Sequence, residues 1–194
     1  MDYNSIEIVK LWKQSAHALG GSFSMPMQKI NGGNMAGGMF LFGIEFIYRG
    51  VEINIHTGLY EYPLQKNEYN DCDIIITAQK AKKERVELSI WRKDYFDKIF
   101  GSSGHKTGYK EFDKRIGLKP SKNIEKSLSS IFKNEDLRNE LITDKYRSYN
   151  LTTIDNYITL ERKSGVRVSN KESMENEFHK FSLLLDGLIN GKVF

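Results

Sequence analysis

The chain has one cysteine and three prolines in its 194 residues, and it has no long unbroken apolar run. Cys72 stands alone between Asp71 and Asp73, which rules out an intramolecular disulfide and a cysteine-rich zinc site. A reducing compartment, the cytoplasm, is the simplest reading of that usage. The opening residues Met1-Asp2-Tyr3-Asn4-Ser5-Ile6-Glu7 lack the basic start and apolar centre of a signal peptide. The longest apolar stretch, Gly38–Ile47, is interrupted by Glu45 and has about half the length a membrane-crossing helix needs. A soluble protein with no membrane insertion is expected. A dominant charge sign is missing too. The 29 basic residues face 25 acidic ones, a net +4, and they interleave, as on an ordinary mixed surface.

Catalytic patterns are equally sparse. None of the four histidines, His17, His56, His105 and His179, has metal-ligand spacing with another on a helix. There is no Gly-x-Ser-x-Gly elbow, and Ser102-Ser103-Gly104 has loop composition. The glycine-rich stretch Asn31–Gly38 matches neither the dinucleotide fingerprint nor the P-loop. It reads as a flexible loop leading into a strand, so no helix N-terminus awaits a phosphate. No catalytic residue, metal or cofactor is assigned.

What is present is a set of strands and amphipathic helices. After Arg49-Gly50, Val51, Ile53 and Ile55 alternate with Glu52, Asn54 and His56, giving one apolar and one wet face. The glycine allows a tight turn, so Ile44–Thr57 reads as an antiparallel hairpin. Ile74–Ala78 is a continuous apolar run, a buried central strand, and Val86–Trp91 alternates again. Lys80–Glu84 between them reads as a charged hairpin tip. Ser22–Ile30 reads as a weak strand that Pro26 places at an edge, Phe112–Lys119 as a strand, and Tyr146–Thr153 and Tyr157–Lys163 as a hairpin turned by Asp155-Asn156. Helical stripes run over Ser5–Leu19, closed by Gly20-Gly21, and over Asp94–Phe100. Others start at the caps Asn123 and Asn134, and the last begins with Ser169 and Glu172 at capping-box spacing.

Strands cluster instead of alternating with helices, which predicts an α+β fold: an antiparallel sheet backed by helices on one face, with a two-lobe pseudo-repeat as a variant. The length fits one domain, residues 1–194, with sub-lobes 1–105 and 106–194 sharing one core. At Thr107-Gly108-Tyr109-Lys110-Glu111-Phe112-Asp113-Lys114-Arg115-Ile116 the chain resembles a loosely defined bacterial cytosolic domain family, whose members carry a Gly-Asp-x-x-Phe-Asp-x-x-Phe type segment before a strand. Leu11-Trp12-Lys13, Tyr48-Arg49-Gly50-Val51 and Leu88-Ser89-Ile90-Trp91-Arg92 support the resemblance. Tyr109 stands where that pattern has an acid, and Ile116 where it has an aromatic. The family has no assigned reaction, so the resemblance implies a compact cytosolic domain and no catalytic role.

Three functions are open. The first is a binding module without catalysis that uses the sheet's polar face, with His56, Trp91, Asp113 and Arg115 as ligand-binding candidates; aromatic and arginine side chains dominate binding hot spots. Its partner would be a protein or a small molecule, and an oligomer is compatible with it. The second is a nucleic-acid binder using the basic tip and sheet aromatics. The third is a small hydrolase-type enzyme assembled from Cys72, His105 and Asp113.

Overall fold

The longest ribbon pairs β3 (Met35–Tyr48) with β4 (Val51–Glu61). Both turn residues have positive φ, Arg49 at 50° and Gly50 at 78°. This is the two-residue geometry whose twist matches that of the flanking strands. The computed structural model describes residues 3–25, 27–32, 35–61, 74–82, 84–94, 104–143, 147–164 and 170–194. The fold is α+β with antiparallel strands, and it divides into two units. The first is Met1–Ile76 with Lys163–Asn176, and the second is Thr77–Arg162 with Glu177–Phe194. No described helix is long and apolar enough to cross a membrane.

In the first unit β3 pairs with β4 and also with β1 (Ser22–Ser24) and β2 (Met27–Gly32), always antiparallel. The register puts Phe42 opposite Thr57, Ile44 opposite Ile55 and Phe46 opposite Ile53. All six are buried, as the alternation of β4 requires. Helix α1 (Tyr3–Ala18) covers this face through Trp12, whose ring lies 5.7 Å from that of Phe42. The helix ends at Gly20, whose φ of +68° lets the Gly21 amide donate back to the Ala16 carbonyl at 2.8 Å.

Of the Asn31–Gly38 loop expected from composition, the described residues are strand instead: Asn31 and Gly32 end β2, and residues 35–38 begin β3. Gly38 pairs with Lys29 on one side and Glu61 on the other, and ladder bonds on both sides outweigh the weak strand preference of glycine.

The Ser15 hydroxyl on α1 is fully buried and makes no hydrogen bond to a described group. Ser15→Ala removes a desolvated, unsatisfied hydroxyl and adds a better helix former, so a gain of about 1 kcal/mol in a urea melt is expected. A loss would mean that the hydroxyl has a partner.

In the second unit the strand order is β5-β9-β8-β6-β7, from β5 (Ile74–Ala81), β6 (Leu88–Arg92), β7 (Ile116–Pro120), β8 (Arg147–Ile154) and β9 (Tyr157–Ser164). Lys80–Glu84 is therefore not a hairpin tip, because the β8–β9 hairpin lies between β5 and β6. Its turn, Asp155 (φ 49°) and Asn156 (φ 65°), is the same tight type. The link from β5 to β6 passes this turn: the Lys82 amide donates to the Asn156 carbonyl at 2.7 Å, and the Val86 amide to Thr153 Oγ1 at 2.8 Å.

The expected strand Phe112–Lys119 is also corrected. Lys110–Arg115 is helix α2, and the strand begins at Ile116. Phe112 and Ile116 are four apart, a spacing that fits both periods. The order of charges, Glu111 and Asp113 early and Lys114 and Arg115 late, suits the helix dipole.

A 3-10 turn, Glu125–Ser127, and the helices α3 (Leu128–Ile131), α4 (Glu135–Thr143) and α5 (Lys171–Asn190) complete the described elements. Asn134 caps α4, accepting the Asp136 amide at 2.8 Å. Asn123 does not cap a helix; its amide donates to the Arg85 carbonyl. The cap of α5 is one residue later than expected, with Asn170 Oδ1 accepting the Ser173 amide at 2.7 Å. The helix expected over Asp94–Phe100 and the residue Ser169 lie outside the described residues, apart from Asp94.

Candidate ligand-binding face

Alternation in the second unit separates two faces of the sheet. Leu88, Leu118, Tyr149, Leu151, Ile158, Leu160 and Arg162 are buried, and the register puts Ile90 between Leu118 and Tyr149. Helix α5 lies on this side, because Arg162 on β9 is bonded to Glu177 on α5. The other side carries Ser89, Trp91, Gly117, Lys119 and Asn150, with Ser89 opposite both Lys119 and Asn150. Ser89, Lys119 and Asn150 are exposed and Trp91 is part-exposed. At the far end, Ile154 and Tyr157 flank the β8–β9 turn, also exposed.

Trp91 has a defined seat. It stands opposite Gly117, and a Cβ added to Gly117 would meet Trp91 Cε2, Cζ2 and Nε1, all within 2.7 Å. The indole therefore occupies the space where every other residue type carries its side chain. A glycine inside a strand costs stability, and the covering aromatic recovers part of it. The result is an aromatic surface held against the backbone, not a free rotor.

The other candidate residues sit on neighbouring elements or in the first unit. Arg115 is exposed at the end of α2, and its carbonyl accepts the Lys93 amide. The Asp113 carboxylate is turned into its own loop: Oδ1 accepts from the Thr107 amide at 2.9 Å and from Thr107 Oγ1 at 2.7 Å, and Oδ2 from the Gly108 amide at 3.0 Å. It fastens the 104–108 strap, whose His105 amide pairs with the Leu118 carbonyl along β7. Asp113→Ala should cost about 2 kcal/mol in a urea melt, the scale of part-exposed bonds to a charged acceptor, and expose the 104–108 amides to hydrogen exchange. Unchanged exchange there would refute the fastening role.

His56 belongs to the first unit, part-exposed opposite Gly43 on a face that also carries Asn54 and Glu45, bonded at 3.2 Å. Trp91, Asp113 and Arg115 belong to the second unit and His56 to the first.

The loop-built catalytic set is described only in part. Cys72 lies outside the described residues, Asp113 is occupied as above, and His105 Nε2 sits 3.2 Å from Glu125 Oε1 in an exposed pair. Among the described residues no cluster of His, Cys, Asp and Glu could hold a metal. The basic segment expected at the hairpin tip is partly used up, since Lys82 Nζ donates to the Val193 carbonyl at 2.6 Å.

No family model, curated protein or solved structure matches this chain.

The most concentrated chemistry in the second unit is internal. Arg162 is 0% exposed and Glu177 2%. Arg162 donates one guanidinium nitrogen to the Glu177 carbonyl and another to Glu177 Oε2 at 2.9 Å. Its Nε bonds to no described group, and its Cζ lies 5.5 Å from the ring centroid of Tyr149. Lys180 Nζ, 3.8 Å from both Glu177 Oε1 and Glu140 Oε1, links the pair to the periphery. Nothing about it is open to a substrate; it is a structural charge pair that the sequence did not reveal.

Proposed function

We propose that the protein is a binding module without catalytic activity that takes its ligand on the outer face of β6, β7 and β8, with Trp91 as the anchor. The observation that carries this reading is the seating of Trp91 on Gly117. Holding a large aromatic in place before binding reduces the entropy a ligand must overcome. Ser89 and Asn150 beside it supply a hydroxyl and an amide for orientation.

The chain has two tryptophans, and Trp12 is buried in the first unit, so their indole N–H signals give an internal control. In an NMR screen of nucleotides, sugars and short peptides, a true ligand shifts the Trp91 indole signal and leaves that of Trp12 in place. Gly117→Ala unseats the indole and should weaken such a ligand about tenfold, the scale of one good aromatic contact. A ligand that shifts neither the indole nor the neighbouring β7 amides would overturn the reading.

A further inference from the structure

We infer that the ligand of this face is a single-stranded nucleic acid, with bases stacked on Trp91 and phosphates held by the cations around β7. The inference rests on the sheet-face reading above. Its own support is the distribution of charge. The second unit holds 21 of the 29 basic residues and 15 of the 25 acidic ones, a net +6, while the remaining 8 and 10 leave the first unit at −2. The modest excess of the whole chain therefore conceals an asymmetry.

Within the second unit the excess gathers about β7. Lys106 lies on the strap along its edge, Lys114 and Arg115 precede it, Lys119 is on it, and Lys122 and Lys126 follow. All six are exposed. None forms a side-chain ion pair or hydrogen bond with a described residue. The acids of the same segment are mostly engaged, Asp113 by Thr107 and Gly108 and Glu125 by His105. Cations grouped in this way repel one another, and a polyanion relieves that repulsion while releasing its own counterions.

Register supplies the geometry. Trp91 is opposite Gly117, and Lys119 is two residues further along β7 on the same face. That diagonal is about 7 Å, within reach of aromatic and long side chains. A π-face next to a cation is the combination by which single strands are held without reading their sequence. Unstacked bases are required to meet a ring lying on a sheet, which selects single strands over duplex.

The test uses the full chain and fluorescently labelled single-stranded DNA and RNA oligonucleotides of mixed sequence, with a duplex as control, read by anisotropy at 50 and 200 mM salt. Single strands should bind, and about five phosphate contacts at a slope near −0.7 each should weaken binding roughly 100-fold between the two salts. Lys119→Ala should flatten that slope by about 0.7. Trp91→Ala should cost about tenfold or more at either salt, and Trp91→Phe should restore most of it. The DNA and RNA arms tell which backbone is preferred. No single-strand binding at 50 mM salt, with another ligand still shifting the Trp91 indole, overturns this inference and leaves the sheet-face reading standing. Binding that responds to Lys119→Ala but not to Trp91→Ala overturns the sheet-face reading and the stacking with it. Equal affinity for the duplex overturns the single-strand assignment.

Discussion

Glu177→Gln is expected to lower stability by about 3–5 kcal/mol, the cost of leaving a buried charge without its partner. Arg162 is wholly buried, and the Glu177 carboxylate is the anion bonded to its guanidinium. The amide keeps the shape and one acceptor but removes the charge. Lys180, 3.8 Å from Glu177, then faces one carboxylate, Glu140, where it had two. In urea the midpoint should fall sharply, and at about 2–4 °C per kcal/mol the thermal midpoint should drop by roughly 6–20 °C. The double replacement Arg162→Met with Glu177→Leu removes both charges and should recover most of the loss, because buried pairs replaced by apolar groups are often neutral or better. If Glu177→Gln cost under about 1 kcal/mol, the pair would have to be solvated, contrary to its burial.

Gly187→Leu should be the second large effect, a loss of about 3 kcal/mol. Gly187 lies on α5 where a Cβ would run into the carbonyl oxygen of Ile131, the last residue of α3, with Leu137 Cδ2 at 3.4 Å. A backbone oxygen cannot swing aside, which places the cost at the upper end of the usual 1–3 kcal/mol for overpacking. Gly191, one turn later, faces the Ile131 side chain, which can move, so Gly191→Leu should cost less. The comparison with alanine decides the matter. If α5 were loosely packed, Gly187→Ala would stabilise by about 1 kcal/mol through helix propensity. A destabilised Gly187→Ala in a urea melt confirms the close approach, and a stabilised one sinks it.

Both effects involve features that the pattern of residues could not display. Arg162 continues the alternation of Ile158 and Leu160 and reads as an edge of the apolar face until its partner on α5 is seen. The strands themselves were legible wherever alternation had a single period, as in Val51–Ile55, or where a short turn fixed the register, as at Asp155-Asn156. The trouble came where one spacing served two structures, at Phe112 and Ile116, and where neighbours in sequence are not neighbours in the sheet, at β5 and β6. Trp91 could be placed on the outer face from its strand alone. Its seat could not be, because the deciding residue, Gly117, acts through an absent side chain; a glycine in mid-strand was the available signal. The gathering of cations was hidden by counting the chain as one body.

The insertion of the β8–β9 hairpin between β5 and β6 has a consequence for synthesis. As the chain leaves the ribosome, β5 and β6 emerge long before residues 147–164, and only a short link separates them. A direct β5–β6 pairing would be the local, cheap contact, but the native sheet places the later hairpin between them. Contacts that wait for distant sequence slow folding, and meanwhile the apolar edge of Ile74–Ala78 stays open to other chains. A nascent chain stalled before residue 147 should therefore aggregate more readily than the full-length protein.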